Sequence, residues 1–201
     1  MIRLLDEFLP PRRGGLSAAD VARLTRLLQH GRPVEKQQAL LKLISAGAES
    51  ALAECLGAKN AITVQFATEG LWECWLNEKG AKARRQMEKG IKLMEAAELT
   101  EAGEVFQSLV KEHPDWTEAI NKQATVLHLQ GRSQESLALC RKVIERKPHH
   151  FGAWNGMAMC AVRLEDWKTA LMAASEGLRL QPSAQANRDI IKLAKSKLAD
   201  R

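Results

Sequence analysis

The stretch that decides the fold runs from 114 to 148, PDWTEAINKQATVLHLQGRSQESLALCRKVIERKP, and a proline closes it at each end. A third proline, Pro182, follows Pro148 at the same 34-residue interval that separates Pro148 from Pro114. Between these prolines the apolar residues recur at every third or fourth position, which is the period of a helix face and not the alternation of a strand. Proline cannot continue a helix and turns the residue before it toward extended backbone. Equal spacing of prolines therefore marks the ends of equal helical hairpins.

Setting proline at position 32 of each unit gives three units, 83–116, 117–150 and 151–184. Position 8 then holds Gly90, Ala124 and Ala158, and position 20 holds Ala102, Ser136 and Ala170. Small residues at both places let the two backbones of a hairpin approach, where a larger side chain would cost about 1–3 kcal/mol. Position 11 (Leu93, Leu127, Ala161) and position 28 (Val110, Ile144, Leu178) supply apolar filling in the same register.

This register resembles the tetratricopeptide repeat (TPR) family. Trp154, Ala158, Trp167, Ala170 and Pro182 carry the match in the third unit, and Gly90, Ala102, Phe106 and Pro114 carry it in the first. The second unit departs at position 24, where Cys140 stands for an aromatic. Position 27, usually alanine in the family, is Leu109, Val143 and Gly177, which implies altered packing between neighbouring units. Position 4 of the first unit is Gln86, as suits an end unit. The resemblance covers roughly half of the chain and implies an all-α helical-repeat solenoid.

In such stacks the first helix of each hairpin lines a concave groove, and in the family positions 2, 5, 9 and 12 point into it. Those positions hold Arg84, Met87, Ile91 and Met94, then Glu118, Asn121, Thr125 and His128, then Gly152, Asn155, Met159 and Val162. Asn121 and Asn155 share one position; two amides in register either grip the backbone of an extended peptide or are used within the fold. Met87, Met94 and Met159 offer adaptable apolar contact, or else fill the core. The resemblance thus implies a non-catalytic adaptor or assembly factor that holds a peptide or helix of another protein. Some family members clamp the carboxylate of a chaperone tail with Lys, Asn and Arg. Here Met87 and Ile91 stand where Lys and Asn would be wanted, and Gly152 and Gly156 replace the basic pair, so a chaperone tail is disfavoured.

Outside the repeats, residues 1–16 read as a flexible arm broken by Pro10-Pro11 and Gly14-Gly15. Residues 17–80 read as four helices, with Ser17 as an N-cap and glycines closing each segment. The string from Ala39 to Trp72 resembles paired HEAT or armadillo helices, with a plain helical bundle as the alternative. Trp72 and Trp75 are expected to pack this region against the first hairpin. Residues 185–201, with Ile190, Ile191, Leu193 and Leu198, read as the capping helix that covers the last hairpin.

The composition bounds the chemistry. With 201 residues and 45% of them apolar, the chain has the material for real cores. No apolar run reaches the roughly 18 residues that span a bilayer. Four cysteines with no CxxC pair make neither a disulfide scaffold nor a zinc cage, which points to a soluble protein of a reducing compartment, cytoplasm or plastid. Of the net charge of +6, +5 falls on residues 81–201. An RNA-binding helical repeat is the alternative this excess leaves open, yet no basic run exceeds two residues, which disfavours nucleic acid. No nucleophile elbow, phosphate loop or HExxH pair is present, so neither catalysis, a cofactor nor a metal is expected. His149 and His150 read as capping or solvated, Glu165 and Asp166 as a helix start, and Cys140 and Cys160 as buried thiols on different helices.

Overall fold

The computed structural model describes residues 15–200, so the expected arm lies outside them except for its last two residues. The described residues form eleven helices and no strand, in two compact units that meet between Glu78 and Lys79.

The first unit holds α1 (Ala18–His30), α2 (Pro33–Ser45), α3 (Glu49–Cys55) and α4 (Ala61–Asn77). Ser17 caps α1 by accepting the Asp20 N–H at 3.1 Å, and Asn60 caps α4 by accepting from Ile62 and Thr63 at 2.9 and 3.2 Å. Helix α2 touches the other three and α1 touches α3, so the four close on one another as a bundle. A seven-residue α3 is too short to pair lengthwise with a neighbour, and the HEAT-like alternative gives way for that reason. The two tryptophans serve this unit. Trp75 is fully buried and its indole N–H donates to Glu49 on α3 at 3.1 Å, while Trp72 meets it edge-on at 5.2 Å.

One charge is buried here that the sequence reading passed over. Lys36 is 6% exposed, and its ammonium donates to the carbonyls of Leu28 and Gln29, both at 2.7 Å, and to the Thr63 hydroxyl at 2.8 Å. All three protons are used, and the positive charge sits at the negative end of α1. Lys36 thereby ties the end of α1 to the start of α4.

The second unit holds α5 (Gly80–Glu95), α6 (Leu99–Glu112), α7 (Thr117–Leu129), α8 (Ser133–Arg146), α9 (Phe151–Arg163), α10 (Trp167–Leu180) and α11 (Gln185–Ala199). Helices α6, α8 and α10 begin and end 34 residues apart. Gly80, expected to end α4, instead opens α5 with a φ of 82°. The repeat extends to the turns. Ala97, Gly131 and Glu165, again 34 apart, take left-handed φ values of 60°, 85° and 55°. Each is followed by a residue whose N–H reaches back across the turn: Glu98 to Leu93, Arg132 to Leu127 and Asp166 to Ala161, at 2.9, 2.8 and 2.9 Å. Asp166 then caps α10 through the Thr169 N–H at 3.1 Å, the helix-start role expected of the acidic pair.

The three prolines come two residues after α6, α8 and α10, and each carbonyl is held by a later side chain. Arg146 donates to Pro114 at 2.6 Å, Trp154 to Pro148 at 2.9 Å, and Arg188 to Pro182. Trp154 and Arg188 stand 34 residues apart, so α11 continues the register as the first helix of a further hairpin would.

The small-residue columns do what their spacing implies. A Cβ on Gly90 would lie 2.6 and 2.8 Å from the buried Phe106 ring. Position 27 also finds its reason. A Cβ on Gly177 would lie 2.5 Å from both the Asn155 carbonyl oxygen and the Asn187 amide nitrogen, which are joined at 2.6 Å across that bare backbone. The Asn155–Asn187 bond docks α11 on α9.

Two outcomes follow. Gly90→Ala is expected to lower stability in urea denaturation by about 1–3 kcal/mol, since the ring cannot retreat from a filled core. Gly177→Ala should instead speed amide hydrogen exchange in α11 while leaving α7 and α8 protected.

Candidate functional site

Helices α5, α7 and α9 touch in succession, and α9 touches α11, whereas α6, α8 and α10 make no substantial contact with one another. The first helices of the three hairpins therefore form the inner row of the second unit. The twelve expected groove positions all lie on this row, and packing divides them.

Positions 2 and 5 are mostly consumed. Met87 is fully buried, Glu118 is fully buried and Asn121 is 4% exposed. Arg84 is half-buried and donates to Glu88 at 2.8 Å. Asn155 accepts from Asn187 at 2.6 Å and donates to Gln181 at 3.4 Å. Both asparagines thus work within the fold. The cause is geometric: these positions lie toward the start of each helix, where the next inner helix or α11 leans across them.

Positions 9 and 12 stay accessible in every unit. Ile91, Met94, Thr125, His128 and Val162 are half-buried, and Met159 is 46% exposed. Thr125 donates back to the Asn121 carbonyl at 3.0 Å, leaving its methyl outward-facing chemistry on the same strip. The strip is apolar at both ends and polar at its middle. Leu129, next to His128, is a further exposed apolar side chain at 49%.

Comparison with solved structures decides the class. The chain superposes on the first TPR domain of human RPAP3 with a TM-score of 0.56 at 15% identity, covering 59% of this chain and 93% of that one. It superposes equally, at 0.56 and 16% identity, on the first TPR of Spaghetti (RPAP3) bound to the HSP90 peptide SRMEEVD, covering 59% and 94%. The repeat unit has the TPR fold. Among curated proteins, a TPR repeat-containing protein of Rhizobium etli is 28% identical over 86 residues, 43% of this chain and 42% of that protein. The chain thus matches about two fifths of that relative's length. No family model matches.

Within the TPR stack, the second and third hairpins share a buried polar junction that the sequence reading did not foresee. The Glu118 carboxylate faces the His150 imidazole at 3.0 Å, the Lys122 ammonium at 3.2 Å and the Asn121 amide at 3.4 Å. His150 accepts the Ala153 N–H on Nδ1 at 3.2 Å, which leaves its proton on Nε2, donated to Glu118. The histidine expected to cap or to be solvated does cap α9, but it is fully buried. Burial pushes the Glu118 carboxyl upward; Lys122 and His150 outweigh it and hold the group below the ordinary carboxylate range. The signal was available as a spacing, since Glu118 and His150 stand 32 residues apart, as do Asn155 and Asn187.

A basic row on α5, Arg85, Lys89 and Lys92, was also passed over. It borders a cleft of about 460 Å³ together with Glu88, Leu93 and Glu98. Two carboxylates among three cations interrupt the row, so it does not form the continuous positive track that a phosphate backbone requires. Among the described residues no helix is long and apolar enough to cross a membrane, and no group of His, Cys, Asp and Glu is arranged to hold a metal ion.

Glu118→Ala is expected to destabilise the protein by about 2–4 kcal/mol at neutral pH, since it strips the acceptor from two buried donors. A carboxyl with a lower folded than unfolded pKa binds fewer protons in the native state. Its contribution is complete above the ordinary glutamate value and is lost as pH falls through that value toward the folded one. Urea titrations across acid pH should therefore show the gap between wild type and variant closing below about pH 4.3.

Proposed function

We propose that the TPR unit is a non-catalytic interaction module that holds a segment of another protein along the inner helices, as an adaptor or assembly factor does. The observation that carries this is the strip at positions 9 and 12, where Ile91, Met94, Met159 and Val162 remain accessible on helices whose other positions are closed. A methionine that is 46% exposed in the middle of a packed row is apolar surface without internal cover. Methionine also adapts its shape to a guest, as befits a binding face. A superposing TPR domain holds an HSP90 peptide, which supports peptide capture as a use of this fold.

The strip favours an extended guest with apolar side chains at two points and a polar one between, set against Thr125 and His128. It favours an acidic tail less, because Met87 and Ile91 occupy the positions of the clamp and neither carries charge. The fold itself accommodates such tails in its neighbours, so SRMEEVD is the informative control peptide.

Random-peptide phage display on the full chain tests the reading. Enriched sequences should carry paired apolar anchors, and Met159→Glu should weaken their capture at least about tenfold with an unchanged thermal melt, a loss typical of one apolar anchor. Enrichment that survives both Met159→Glu and Ile91→Glu would overturn the assignment of this face, and preferential binding of SRMEEVD would overturn the apolar guest.

A further inference from the structure

All four cysteines are free and buried, but they are not equivalent. Cys55 and Cys74 belong to the first unit, and burial pushes the Cys55 thiol up to about 11. Cys140 on α8 and Cys160 on α9 lie in one core cluster, with their thiols hydrogen-bonded to each other. The Cys160 sulfur also stands 3.4 Å from the His128 Nδ1 and 3.1 Å from the Ser136 hydroxyl. Ser136 gives its single proton to the Ala124 carbonyl at 2.7 Å, so its oxygen faces Cys160 as an acceptor. The group placed to take the Cys160 proton is therefore His128.

We propose that Cys160 and Cys140 form an oxidisable dithiol, with His128 as its base, which closes to a disulfide joining α8 to α9 and so stapling the second TPR hairpin to the third. Two features beyond proximity support it. His128 is half-buried and opens to the inner face, giving the proton a route to water. Gly156, also half-buried, covers Cys140 with no side chain: a Cβ there would come within 3.1 Å of the Cys140 sulfur and meet no other side chain within 4 Å. A small oxidant thus has an approach that any other residue at 156 would close. The hydrogen bond between the thiols, followed by burial, raises Cys140 far above the ordinary thiol range, and the same bond lowers Cys160. Cys160 is then the sulfur that ionises first, and Cys140 the one that resolves.

With a peroxide as oxidant the chemistry balances. The Cys160 thiolate, its proton passed to His128, attacks one peroxide oxygen. The O–O bond breaks, and the departing hydroxide takes a proton to become water, leaving a sulfenic acid. Cys140 attacks the sulfenic sulfur, loses its own proton, and expels hydroxide, which leaves as a second water. Two thiols are oxidised by two electrons and one peroxide is reduced. The site is independent of peptide capture, although the staple would fix the spacing of His128 and Met159 on the binding strip.

The test is equimolar hydrogen peroxide on the full chain, followed by denaturing intact-mass analysis and peptide mapping without reductant. The expected result is loss of two hydrogens and one cross-linked peptide pair containing Cys140 and Cys160, with Cys55 and Cys74 still alkylatable. Cys140→Ser should trap a sulfenic acid at Cys160 that dimedone captures, and His128→Gln should slow oxidation at least about tenfold, the low end for a lost general base. A cross-link through Cys55 or Cys74, unchanged mass, or an unaltered rate in folded His128→Gln would each overturn the proposal. The mapping of the unmutated chain stands even where a variant does not fold.

Discussion

Contact between successive inner helices is the constraint on which the TPR unit rests. Residues 32 apart meet across it: Glu118 with His150 in one junction, Asn155 with Asn187 in the next. Each joins the first turns of one inner helix to the start of the following one. The junctions are buried and polar, so their geometry is demanding; an amide or carboxylate without its partner there would cost on the order of 1–3 kcal/mol. The demand fixes the lateral register of the row more narrowly than apolar contact alone. It also decides which side chains a guest can reach. What is spent at positions 2 and 5 on holding helices together is not available to a partner, and positions 9 and 12, nearer the helix ends, are left over.

Close approach within each hairpin is a second condition. Gly90 admits Phe106 against bare backbone, and Ala124 and Ala158 do the same for less bulky neighbours in the later units. Gly177 is a different use of the same absence, since it makes room for an amide pair rather than a ring. The chain departs from the family pattern there because α11 is tied down by polar atoms, whereas Leu109 and Val143 at the matching positions are apolar and fully packed.

The repeat was legible because prolines, small residues and apolar columns are local and periodic. The left-handed turns were legible only at Gly131. Ala97 and Glu165 adopt the same backbone without glycine, and the sequence gives no local reason to expect it. The candidate site was half legible. Position numbers placed Ile91, Met94, Thr125, His128 and Met159 on an accessible face, but gave Met87, Asn121 and Asn155 equal standing with them. Those three are distinguished by what leans over them from the next helix, which is a property of the stack and not of the helix that bears them. Lys36 shows the same limit in the first unit: a lysine on a surface-like pattern is drawn inward by carbonyls that only the fold brings together.

The most direct measurement of the account is methyl-resolved NMR of the full chain titrated with a peptide selected against it. The account predicts shifts confined to the methyls of Ile91, Met94, Thr125, Met159 and Val162, with those of Met87 and Val143 unmoved. Shifts that instead cluster on the outer helices α6, α8 and α10, or that reach Met87 before Met159, would contradict it.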